Sequence, residues 1–145
     1  MSIFMSTTKI PAEKTALEIS TLLSKSGLVQ FIQTEYEEGD IVGIYFLVRF
    51  GESKIGYKLP ARWQPVIEAM EKDKHTQRHL CNPEQARRVA WRQVLRWVQA
   101  QLALIEIGMV DIKEVFMPYM MINKDITFYQ KLEQGKFKLL ELEDK

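Results

Sequence analysis

A chain of 145 residues, 46% hydrophobic and 27% charged, has the length and balance of one soluble globular domain. It is long enough to bury a core without metal or disulfide staples. A formal net charge of +1 excludes an argument for a polyelectrolyte partner from totals alone, so any such preference must come from local patches. The single cysteine, Cys81, excludes an internal disulfide and fits a reducing cytosol.

No apolar run approaches the ~18–20 residues that cross a bilayer, so no membrane partner is expected. The first residues lack the basic-then-apolar pattern of a secretory signal, and residues 1–9 read as a loose lead-in. Pro11 then suits the first turn of a helix, where its missing N–H is no loss. A helix over about 11–25 follows, with a stripe of Leu17, Ile19, Thr21, Leu22 and Leu23 and Gly27 beyond its end.

The stretch from Leu28 to Pro60 is rich in β-branched and aromatic residues, punctuated at Glu38-Gly39-Asp40 and Gly51-Glu52. It predicts strands over about 28–36, 41–50 and 53–59 in an antiparallel meander. Val42, Ile44, Phe46, Val48 and Phe50 alternate onto one face of the middle strand. A two-residue loop at Gly51-Glu52 sets Val48 opposite Ile55, Phe46 opposite Tyr57, Arg49 opposite Lys54 and Tyr45 beside Lys58. The outer face then gathers Tyr45, Arg49, Lys54 and Lys58.

A short amphipathic helix over about 62–72 turns Trp63, Val66, Ile67 and Met70 inward. Residues 73–81 lack periodicity and read as a mobile basic loop. Asn82-Pro83-Glu84 starts a long helix: Asn as cap, Pro at the first position, an acid in the first turn. Ending at Gly108, it is about 38 Å long at ~1.5 Å per residue. Its core stripe is Trp91, Val94, Leu95, Val98, Leu102 and Ile105. Beyond Arg96 it is apolar on most sides, which predicts that its second half runs inside the domain and its first half emerges.

Asp111 with Glu114 forms a capping-box pattern for a further helix. Asp125 is the expected cap of a last helix reaching Gln134, and residues 136–145 are a tail, either a strand or a docking segment. One helix, three strands and then helices make an α+β fold: an N-terminal helix, a three-stranded antiparallel meander and a helical C-terminal half with one long helix packed on the sheet.

No motif carries a reaction, so the protein reads as non-enzymatic with no cofactor. His75, His79 and Cys81 are spaced as His-x3-His-x-Cys, but structural zinc needs a fourth ligand; solvated loop histidines are the plain reading and no metal site is assigned. Glu35, Glu37, Glu38 and Asp40 cluster at a hairpin, where turn chemistry accounts for them.

One feature stands above background. Between Lys72 and Arg96 seven cations face two carboxylates. Arg88, Arg92 and Arg96 recur one turn apart, and Arg87 adjoins them. Repulsion at that spacing, ~0.2–0.5 kcal/mol per pair, is offset either by carboxylates from elsewhere in the chain or by phosphates. Together with the basic, tyrosine-bearing sheet face, this row predicts a surface for single-stranded nucleic acid, bases stacking and phosphates pairing. The residues so assigned are Tyr45, Arg49, Lys54, Lys58, Arg87, Arg88, Arg92 and Arg96. The alternative is solvated or salt-bridged faces. A second feature is Phe116, Met117, Tyr119, Met120 and Met121, too many apolar groups for one helical stripe. They are either core wedged under the sheet or a contact with a second copy or a host protein, which would make the chain an interaction module or inhibitor.

The block Ala90–Tyr119, with Trp91-Arg92, Gln101-Leu102, Ile105-Glu106, Gly108 and Glu114-Val115-Phe116, resembles one found in small uncharacterised bacteriophage and prophage proteins. Tyr57-Lys58-Leu59-Pro60 after a meander is similar too, and the likeness runs from about Ile19 to Ile122. It implies a mobile-element origin and a bacterial cytoplasm, and implies no activity and no site residue. The order helix, glycine, meander is also similar to the opening of single-strand annealing proteins, a likeness of topology.

Overall fold

A computed structural model describes residues 2–142. Helix α1 spans Ala12–Lys25, and strands β1 (Val29–Glu37), β2 (Asp40–Phe50) and β3 (Ser53–Pro60) form one antiparallel sheet in the order β1-β2-β3. Helix α2 (Gln64–Lys72), the long α3 (Pro83–Glu106), the one-turn α4 (Ile112–Val115) and α5 (Phe128–Gln134) complete the set. This is the α+β order that the periodicities predict. No helix among the described residues is long and apolar enough to cross a membrane.

Both hairpins are set by their loops. Glu38 and Gly39 have φ of 51° and 86°, the pair of positive values a type I′ turn needs. Gly51, at φ 59°, supplies the single positive value at the first loop position. The β2–β3 register is the predicted one: Val48 faces Ile55, Phe46 faces Tyr57, Arg49 faces Lys54 and Tyr45 faces Lys58. One assignment on β2 is corrected. Against β1, Glu35 pairs with Gly43 and Tyr36 with Ile41, so Val42 is an extra, bulged residue. The bulge inverts the alternation, and Ile41 is buried in place of Val42, which stays half-buried.

The core lies between the inner sheet face and the helices. Ile44, Phe46, Val48, Tyr57 and Leu59 meet Ile19 and Leu23 of α1 and Trp91, Leu95 and Val98 of α3. Phe46 stacks on Tyr57 with ring centroids 5.0 Å apart, and Phe116 packs edge-on at 5.6 Å from Phe46. The Trp91 indole N–H donates to the Ile41 carbonyl at 3.3 Å, tying α3 to β2. The stripe on α1 is also corrected: Ala12, Ala16, Ile19 and Leu23 are buried, while Leu17 and Thr21 face solvent. The inward line is therefore set by 3–4-residue spacing from Ala12 rather than from Leu17.

A larger correction concerns α3. Its buried residues run from Gln85 to Val98 and stop there. Half-buried Leu102 and Ile105 follow, with Ile107 and Met109 exposed beyond them. The apolar half is thus the one that emerges, and the arginine-bearing half is the one enclosed. The reason is the short α2. Met70 of α2 packs with Ala86 and Val89, covering only the first half of that side of α3. Residues 2–8, expected to be loose, are held on the same half: the Gln85 amide donates to the carbonyls of Ser6 and Thr8, both at 2.9 Å.

The last helix starts two residues later than expected. Thr127, not Asp125, caps α5, and Gln130 returns the bond to the Thr127 N–H. Thr-x-x-Gln is itself a capping box, which Asp125 with Phe128 three on cannot form. Beyond α5 the tail makes a single tight turn at Lys138–Leu140, and residues 143–145 of the expected tail lie outside the described residues.

Candidate nucleic-acid interface

The outer face of the sheet follows from the register. Phe31, Leu47 and Gly56 form one row across it, and Gln33, Tyr45 and Lys58 the next. Glu35 with Gly43 lies at one end, Arg49 with Lys54 at the other. Every side chain on this face is exposed or half-exposed, because α1 and α3 pack on the opposite face.

Two aromatics stand at its centre. Phe31 is 49% exposed, and its ring meets Tyr45 edge-on with centroids 6.4 Å apart. Tyr45 lies across Gly56: a Cβ there would come within 2.8 Å of Tyr45 Cε2. The glycine is therefore needed for the tilt of the tyrosine ring. Phe31 was missed in the sequence because Val42 is a bulged residue: counted from the Glu38-Gly39 turn, an unbroken ladder sets Phe31 opposite Phe46 on the inner face, whereas the bulge moves its partner to Leu47. That extra residue on β2 puts Phe31, with Gln33 and Glu35, on the outer face, and plain alternation along either strand gives no sign of it.

The cations on this face differ. Lys58 Nζ lies 3.6 Å from Glu35 Oε2 and is partly neutralised. Arg49 and Lys54 are directly opposed, both exposed, and among the described residues neither has a carboxylate within 4.0 Å. Like charges across a strand pair are unfavourable without an anion between them.

The arginine row lies elsewhere. It is on α3, on the far side of the sheet from this face, and three of the four arginines are paired with carboxylates of this chain. Arg87 pairs with Asp40 at 3.2 Å, its guanidinium 4.7 Å from the Trp63 ring centroid. Arg88 pairs with Glu84 at 2.6 Å. Arg92 is 6% exposed; its Nη1 donates to Glu18 Oε1 at 3.1 Å and to Thr15 Oγ1 at 3.4 Å. Arg96 is exposed and has no carboxylate within 4.0 Å among the described residues, donating to the Gln99 amide oxygen at 2.9 Å. The structure brings Tyr45, Arg49, Lys54 and Lys58 together and leaves Arg87, Arg88, Arg92 and Arg96 off that face.

The Met-rich segment is divided. Phe116 is fully buried. Met120 bridges Tyr57, and the Met121 N–H donates to the Gly56 carbonyl at 2.8 Å, so this segment caps the free edge of β3. Tyr119 and Met121 are half-buried, and Met117 is exposed. In the loop before α3, His75 and His79 are exposed, whereas the Cys81 thiol points to the Met70 carbonyl at 3.5 Å. Among the described residues no three His, Cys, Asp or Glu side chains gather where a metal could be held.

Comparison with protein-family models, with curated proteins and with solved structures finds no match for this chain.

Proposed function

We propose that this protein is a small non-enzymatic accessory factor of a phage or mobile element that binds single-stranded nucleic acid on the outer face of its sheet. The observation that carries the reading is the exposed Phe31–Tyr45 pair on the sheet face opposite the helices, beside two opposed cations that no carboxylate among the described residues neutralises. Bases stack on the two rings, and phosphates lie between Arg49 and Lys54 and against Lys58. The likeness of Ala90–Tyr119 to phage proteins supports the mobile-element setting. The internal pairing of Arg87, Arg88 and Arg92 confines the proposed surface to the sheet.

Fluorescence anisotropy with a labelled single-stranded oligonucleotide tests it. Three phosphate contacts give a slope of about −2 in log affinity against log salt, at ~0.7 per phosphate for single strands. The triple change Arg49→Ala, Lys54→Ala and Lys58→Ala flattens that slope and weakens binding alike for all sequences. Phe31→Ala or Tyr45→Ala costs ~1–3 kcal/mol of affinity through lost stacking and leaves the slope unchanged. Absence of binding at low salt and micromolar protein refutes the proposal.

A further inference from the structure

We infer that the exposed second half of α3 is the seam of an antiparallel homodimer, with a second copy of this chain as its occupant. The stripe that α2 covers at Val89 continues at helical spacing as Arg96, Ala100, Ala103 and Ile107, and all four are exposed. Between Trp97 and Gly108 the one charged side chain is Glu106. A solvated helix face normally carries charges throughout; depletion of charge on an exposed face marks the core of an interface. Ala100 and Ala103 are small enough to let a second helix approach closely. Beside them an apolar trough of about 400 Å³ runs between the ends of α1 and α3, lined by Leu22, Leu28, Leu102 and Ile105 among others.

The charges at the two ends of this stretch identify the occupant. Among the described residues Arg96 is the one arginine of α3 without a carboxylate within 4.0 Å, and Glu106 has no cation within that distance. Lys25 lines the same trough as Glu106 without reaching it. The two residues are ten positions apart, about 15 Å along the helix. A two-fold axis at the level of Gln101 sets Arg96 of each copy level with Glu106 of the other, making two identical ion pairs around an apolar centre. Parallel packing would oppose Arg96 to Arg96 and Glu106 to Glu106. The seam lies on the opposite side of the molecule from the outer sheet face, so it stands or falls independently of nucleic-acid binding.

Light scattering on a sizing column tests the inference. The wild-type chain is expected to run at twice its mass at tens of micromolar and to dissociate on dilution. Arg96→Glu or Glu106→Arg alone weakens the dimer by about tenfold or more, and the double reversal restores it. Circular dichroism confirms that these surface variants fold. In a Cys81→Ser background, Ala100→Cys, close to the axis, cross-links to its own copy on oxidation. Ile107→Cys, some 18 Å from its equivalent in antiparallel packing, does not. A monomer at every concentration overturns the inference. So does a dimer indifferent to both charge reversals, or one that cross-links equally at 100 and 107.

Discussion

Arg92 offers the most direct test of how the cations of α3 are used. Its guanidinium is buried between Thr15 and Glu18, and its Nε has no partner among the described residues. Glu18→Ala leaves that charge enclosed and unpaired. Breaking a fully buried pair costs ~3–5 kcal/mol. The Glu18 side chain is 40% exposed, so water reaches the site and lowers the cost to about 1–3 kcal/mol. Arg92→Met removes the charge together with its need for a partner, keeps most of the stem, and leaves Glu18 free to solvate. Its effect is expected within ~1 kcal/mol of wild type. The order is therefore the opposite of a phosphate-binding role: the acid matters more to stability than the base, and Arg92→Met leaves oligonucleotide affinity unchanged. Urea denaturation with equal slopes for the variants measures the first part and anisotropy the second. If Arg92→Met costs clearly more stability than Glu18→Ala, or abolishes oligonucleotide binding, the reasoning is wrong.

The Tyr57 hydroxyl is buried without a partner among the described residues, so Tyr57→Phe is expected to match or exceed wild-type stability at neutral pH by up to ~1 kcal/mol. Burial, with the Asp111 charge adding, pushes the Tyr57 phenol from 10.0 to about 12. An acid harder to ionise in the native state keeps its stabilisation below about pH 10 and loses it as the pH climbs towards 12. At ~1.4 kcal/mol per tenfold, the wild type should lose about 3 kcal/mol more across that window than Tyr57→Phe; equal losses in alkaline denaturation would contradict this. At Gly43 an added Cβ would lie 2.9 Å from the Leu59 carbonyl oxygen, which is backbone and cannot swing away. Gly43→Ala is expected to cost ~1–3 kcal/mol in thermal or urea unfolding. At Gly56 the obstacle is the Tyr45 ring, so Gly56→Ala should cost less stability than Gly43→Ala but weaken oligonucleotide binding by moving the ring. Asp111→Ala removes the capping box of α4 and should cost ~1 kcal/mol, read by the same unfolding curves.

Much of the fold was legible because its signals are local. A type I′ loop needs positive φ at two positions, and Glu38-Gly39 meets that need; the length of the Gly51-Glu52 loop then fixed every β2–β3 pair. Asn82, Asp111 and Gly108 marked helix ends by hydrogen bonding and backbone freedom within a few residues. The four polar residues assigned to the sheet face do lie together, because alternation along β2 and β3 is unbroken there. The bulges at Gln30 and Val42 broke the same rule elsewhere. The one at Val42 hid Phe31 and exchanged Val42 for Ile41, and the one at Gln30 returned Val29 to the inner face, since an extra residue reverses every facing beyond it and leaves no mark in hydrophobicity.

The sequence by itself determined where the elements are, how β2 and β3 register and which line of α3 is apolar. Only the tertiary structure decided how far along α3 that line is covered and which cations meet carboxylates. Periodicity reports the side of a helix that faces a neighbour and says nothing of the neighbour's length. Here α2 is 9 residues and α3 is 24, so one side of α3 is covered over its first half and bare over its second. The partners of Arg87 and Arg92, Asp40 and Glu18, are 47 and 74 positions away in the chain, and only folding brings them within 3.2 Å. A charge row reads the same in sequence whether it is neutralised from within or left for an anion.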